Sequence, residues 1–209
     1  MAPRLAEAHA ARAFIHSQTQ DYDQAVAGFE EAIRLNPYLF DSYYYFARAA
    51  FARGDMQRAA DMFRAAAEVR GEDFQSAILL AMPMNALGKE DAARDAICTG
   101  IRRAELMLAL NPSDGRALSL GAGALMDDGQ VERALEWSRR ALDLYPHDAS
   151  ALINVACLYV KAGERDQAMD LLDRVFARGF GKRDWVANDP DYHPLRVEPR
   201  FQRMLAGLK

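Results

Sequence analysis

The densest cluster of chemically capable side chains in this 209-residue sequence is Asp189-Pro190-Asp191-Tyr192-His193, two carboxylates and an imidazole within five residues. Such a group suits a metal ion or a general acid–base pair. Asp and Pro are also the commonest turn formers, and the turn reading is favoured. His9 and His16 lie seven residues apart, on one helix face but two turns apart. They cannot share a metal without a ligand from elsewhere, and read as surface or capping histidines. Glycine loops that cradle phosphate, dinucleotide fingerprints and nucleophile elbows do not occur. Neither cofactor nor metal is expected, and the chain reads as no enzyme.

Composition narrows the partners. The net charge is −4 with a pI near 5.6 and no basic run, which argues against nucleic acid. The longest nearly apolar stretch, Ala77–Leu87, is too short to insert in a membrane, and the first residues lack the apolar core of a signal peptide. A cytoplasmic location is the expectation. Cys98 and Cys157 sit in apolar-periodic segments without a CxxC pair, as reduced thiols packed among small apolar residues do.

The elements that must carry any site announce themselves by repetition. Ala25, Ala59, Ala93, Ala134 and Ala168 recur at sequence intervals of 34, 34, 41 and 34. Ala13, Ala47, Ala81, Ala122 and Ala156 keep the same intervals, and Gly54, Gly88, Gly129 and Gly163 repeat them from the second unit onward. Within each unit apolar residues recur at spacings of three and four, broken about every dozen residues, which predicts an all-α chain of two antiparallel helices per unit. Glycine closes the first helix and Asn36-Pro37, Asn111-Pro112 or Tyr145-Pro146 the second. Gln20 replaces the turn glycine in the first unit. The third unit is seven residues too long, and Gly100 still keeps the register, so the extra residues lie between Gly100 and Pro112. Seven residues are about two helical turns, which predicts one long helix over about 89–110. Pro83 falls inside the preceding helix, where a kink is expected.

These residues resemble the tetratricopeptide repeat. The match runs through Ala13, Ala25, Phe29, Ala32 and Pro37 in the first unit, and Tyr43, Phe46, Ala47, Gly54, Ala59, Phe63 and Ala66 in the second. Leu118, Ala122, Gly129, Ala134, Ala141 and Pro146 follow in the fourth, and Leu152, Ala156, Tyr159, Gly163, Ala168 and Leu172 in the fifth. The resemblance implies a right-handed superhelix in a single solenoid domain. Its repeats span about 6–39, 40–73, 74–114, 115–148 and 149–182, with a cap over 183–209. The first helix of the first unit is unusually polar, with His9, Arg12 and His16 on slots that are mostly apolar elsewhere. In the cap, Trp185, Leu195, Phe201 and Leu205 supply apolar surface, and a short helix begins at Pro199. Trp185, Asp189-Pro190, Pro194-Leu195 and Pro199-Arg200-Phe201 resemble the tail of tetratricopeptide regions in bacterial cyclase-like or kinase-like signalling proteins.

The resemblance also implies a function. In this family the first helices line a concave face that holds protein or peptide partners. Carried onto this sequence, the face is Tyr44, Tyr45, Arg48 and Phe51, then Gln75, Ile78, Met82 and Asn85, then Arg116, Ser119 and Met126, then Asn154 and Cys157. Arg48, Asn85, Arg116 and Asn154 do not reproduce the Lys, Asn and Arg set with which chaperone-binding members hold a C-terminal carboxylate. The leading expectation is a non-catalytic scaffold for a peptide or partner helix. The alternatives are a self-associating solenoid, hence a homo-oligomer, and the regulatory region of a larger signalling protein.

Overall fold

A computed structural model describes residues 5–181, 183, 186 and 190–208. Among them every regular element is helical. The order is α1 (Ala6–Gln18), α2 (Tyr22–Leu35), α3 (Phe40–Ala52), α4 (Met56–Val69), α5 (Phe74–Ala86), α6 (Glu90–Leu110), α7 (Gly115–Asp127), α8 (Val131–Leu144), α9 (Ala149–Lys161) and α10 (Arg165–Phe176). A 3-10 segment (Pro190–Leu195) and a last helix, α11 (Pro199–Gly207), follow. Contacts group the chain into two compact units that divide inside α6, between Arg103 and Ala104.

The turn between the two helices of a hairpin is the same each time. Gly54, Gly88, Gly129 and Gly163 all have φ between 70° and 83°, the left-handed conformation that only glycine adopts without cost. The N–H that follows then reaches back across the turn, as Asp55 does to the Ala50 carbonyl at 3.0 Å and Gln130 to Leu125 at 2.8 Å. In the first hairpin Gln20 takes that place at φ 63°, and Asp21 N–H still reaches the His16 carbonyl at 3.0 Å. At the other end of the unit, Asp73, Asp114 and Asp148 cap α5, α7 and α9, each carboxylate accepting from the backbone N–H three residues on.

In the first unit α1 pairs with α2 and α3 with α4, and α3 packs on both helices of the hairpin before it. The two alanine series explain how. Ala13, Ala25, Ala47 and Ala59 are fully buried, at crossings where a larger side chain would hold the helices apart. Phe29 and Phe46 stack between them with centroids 5.3 Å apart, and Phe63 lies edge-on to Tyr44 at 6.3 Å. The closest approach is at Gly100 of α6, where a Cβ would come within 2.3 Å of the Ile78 side chain.

The second unit repeats the scheme. α7 pairs with α8, α9 with α10, and α9 packs on both α7 and α8; Ala122, Ala134, Ala156 and Ala168 are fully buried. Its far end is closed by the tail. Leu195 and Phe201 are buried as expected and Leu205 is half-buried, while Trp185 and Asp189 lie outside the described residues.

The long helix of the third repeat is as the spacing predicts, 21 residues against 12 to 14 in the other second helices. α5 continues through a buried Pro83 to Ala86. One expectation is corrected. Cys98 is exposed, because α6 buries Ala93, Ala96, Ile97, Gly100 and Ile101 and Cys98 falls on the opposite side of that stripe.

Candidate peptide-binding face

The expected face separates into two rows according to position along each first helix. In the first unit the earlier row is Tyr44 on α3 and Ile78 on α5, with Ala10 in the same place on α1. These are buried, at 7%, 6% and 6% exposure. Ser119 on α7 in the second unit is buried too, at 1%. The expectation that Tyr44, Ile78 and Ser119 stand open to a ligand is therefore corrected. Tyr44 is held between Phe40, stacked at 5.5 Å, and Phe63, and its hydroxyl donates to Gln75 Oε1 at 3.4 Å. Ile78 is covered where α6 approaches through Gly100, and Ser119 Oγ accepts from Asn154 Nδ2 at 3.4 Å. In the first unit Tyr44 and Ile78 form the floor of the face.

One turn further along each helix the side chains emerge. Arg48 and Asn85 are exposed and Met82 is 46% exposed. Tyr45, Phe51 and Gln75, which lie off both rows, are half-buried. The Arg48 guanidinium lies over the Tyr44 ring, 5.7 Å from its centroid, and forms no ion pair with a carboxylate among the described residues. Phe14 on α1 belongs to this row and the sequence reading omitted it. It is 37% exposed, its ring 4.7 Å from that of Tyr45. The signal was present, since Phe14, Arg48 and Met82 follow one another at the repeat interval; the polar slots beside Phe14 obscured it.

In the second unit Arg116, Met126, Asn154 and Cys157 are half-buried. Here the tail meets α9. Tyr192 is buried against Phe201, with ring centroids 5.8 Å apart, and the Cys157 thiol lies 3.4 Å from its hydroxyl. Lys161 Nζ donates to Asp127 of α7 at 2.8 Å and pairs with Asp191 at 3.6 Å. Burial alone would lower the Lys161 pKa, but Asp127 and Asp191 outweigh it and raise it above the ordinary lysine value. So Asp191 and Tyr192, in the cluster that first suggested chemistry, fasten the tail to the second unit, while His193 is exposed. No group of three or more potential metal ligands occurs among the described residues, and none of their helices is long and apolar enough to cross a membrane.

Stacked helical hairpins with buried small residues at the crossings and a face of first helices define the class, an all-α helical-repeat protein. Two sequence profiles described as the tetratricopeptide repeat match, over residues 6–39 and 125–196, and together they cover just over half of the chain. Tetratricopeptide repeats are thereby shown in both stretches of the chain. No curated protein matches it.

Solved structures agree in fold. A thermophilic tetratricopeptide protein of Thermus thermophilus, TTC0263, is 16% identical with a TM-score of 0.64, over 97% of this chain and 98% of its own. PilF of Pseudomonas aeruginosa is 15% identical with a TM-score of 0.57, over 95% and 88%. YrrB, described as a tetratricopeptide protein with an unusual peptide-binding site, is 19% identical with a TM-score of 0.50, over 84% and 87%.

Proposed function

We propose that the chain is a non-catalytic scaffold that holds a peptide segment or partner helix against the first-helix face of its first unit. The observation that carries this reading is the exposed Arg48, Met82 and Asn85 standing on a buried floor of Tyr44 and Ile78. Arginine and methionine are frequent anchors of protein interfaces. A partner there carries apolar anchors and at least one acidic group, because Arg48 is a cation without a counter-ion among the described residues. YrrB supports the reading to the extent that its fold carries a peptide-binding site.

The test uses the exposed row, since Tyr44→Ala would damage the core. A Met82→Ala, Arg48→Ala double variant of the full chain should keep its melting temperature. It should bind a peptide selected from a random display library at least about tenfold more weakly than the parent chain does. Equal binding by the variant overturns the reading.

Self-association is the second reading, favoured by Leu106 and Leu110 on the extra turns of α6, 63% and 85% exposed. Light scattering that shows a dimer at low micromolar concentration without any added partner would support it. A place in a larger bacterial signalling protein is a third, carried by the tail residues Pro199-Arg200-Phe201; the neighbouring coding sequence tests it.

A further inference from the structure

We infer that the first unit reads an extended segment in which an acidic residue lies three positions from an apolar residue on either side. This rests on the peptide-binding reading above and names its ligand. Phe14, Arg48 and Met82 hold one register position on α1, α3 and α5, so the exposed row reads apolar, cationic, apolar. The residues one turn earlier, Ala10, Tyr44 and Ile78, are all buried, so a ligand lying across the three helices rests on a closed floor and touches the row.

Each member of the row is positioned by its neighbours. Phe14 is braced by the Tyr45 ring at 4.7 Å, and Arg48 is set over the Tyr44 ring at 5.7 Å. A guanidinium held over an aromatic ring, with no carboxylate paired to it among the described residues, leaves its N–H groups to a ligand, and a carboxylate gives the strongest hydrogen bond they can make. Asp41, the acidic residue of α3 nearest in sequence, lies about 10 Å further back along the helix, too far to fill that role. The flanking Phe14 and Met82 offer apolar contact and, in Met82, an adaptable one.

The spacing follows from geometry. α1 and α3 pack directly; packed helices lie about 8–10 Å apart and an extended chain advances about 3.3 Å per residue, so the step from Phe14 to Arg48 takes about three residues. α5 stands one repeat beyond α3, tied to it by the Tyr44 hydroxyl on Gln75 at 3.4 Å, and the same step is assigned there. The ligand pattern is apolar-x-x-acidic-x-x-apolar, and its symmetry makes it readable in either chain direction.

The experiment measures fluorescence anisotropy of labelled peptides with the full chain. The parent peptide carries Leu-Ser-Ser-Asp-Ser-Ser-Leu; its variants replace Asp by Asn or Lys, or move Asp by one place. The parent should bind best, and each change should weaken binding at least about tenfold. Arg48→Glu should invert the preference so that the Lys peptide binds better than the Asp peptide, and should melt as the wild type does; Phe14→Ala should weaken the parent peptide while keeping the helical circular dichroism of the wild type. Failure of the parent peptide to bind, equal affinity for the displaced Asp, or an unchanged preference in Arg48→Glu overturns this inference. If peptides selected from a random library still lose affinity in the Arg48 and Met82 double variant, the broader reading survives that failure. If no library peptide binds, both fall.

Discussion

Gln20 is the residue whose conformation most clearly departs from its type. It holds a left-handed backbone at φ 63° where four later hairpins place glycine, and a side chain there costs about 1–2 kcal/mol. Gln20→Gly should therefore stabilise the chain by about 1 kcal/mol and raise its melting temperature by roughly 2–4 °C. A lower melting temperature would show that Gln20 contributes contacts that outweigh its strain. The turn itself was legible, because the period places Gln20 where glycine stands elsewhere. The face was less so. Tyr44 and Arg48 lie one turn apart on α3, and the helical period assigns both to one side of the helix without saying which is covered by the next hairpin. Burial of Tyr44 depends on Phe40 and Phe63, and burial of Ile78 on Gly100, a residue of the following helix. No local pattern holds that information.

Among the elements, α6 was read to within a residue, because the insertion adds whole turns between two fixed register marks. The ties between successive repeats were not. Arg140 of α8 donates to the Pro112 carbonyl at 3.0 Å, and Arg174, at the same position one repeat later, does the same to Pro146. Arg103 reaches the Ala67 and Asp73 carbonyls at 3.3 and 2.9 Å. An arginine on a second helix thus satisfies carbonyls near the close of the repeat before, groups that proline and helix termination leave without partners. The fastening of α9 is electrostatic and its pH dependence has a definite sign. Lys161 has a raised pKa in the folded chain, so its stabilisation is complete below the unfolded lysine value of about 10.4 and is lost as pH rises through the higher folded value. Lys161→Met should lower stability by about 0.5–1 kcal/mol at pH 8, and the gap between variant and wild type should close above the folded pKa. Chemical denaturation at the two pH values measures it; a gap that persists in strong alkali would show that Lys161 acts through packing of its stem.

At the scale of the molecule, a stack of repeats is stable only where each unit has a neighbour, and the last unit has the tail. Leu172 and Val175 of α10 are fully buried, Phe201 of α11 is buried, and Arg200 pairs with Asp170 at 2.7 Å and with Asp173. Removing the residues after Lys182 should cost about 3 kcal/mol or more and lower the melting temperature by roughly 6–12 °C, or cause aggregation. Unchanged melting would mean the tail closes nothing. That a cap follows the fifth repeat was readable from its apolar residues and prolines; that Tyr192 is its anchor was not, since Asp-Pro-Asp-Tyr-His reads first as a turn. The division between a covered row and an open row has a consequence for how such a chain changes over generations. Ala10, Tyr44 and Ile78 answer to the stability of the whole stack and are locked together. Under the peptide-binding reading proposed above, Phe14, Arg48 and Met82 answer chiefly to whatever lies across them, so each could be rewritten alone, like a letter in a frame of fixed spacing, and a new partner acquired without renegotiating the fold.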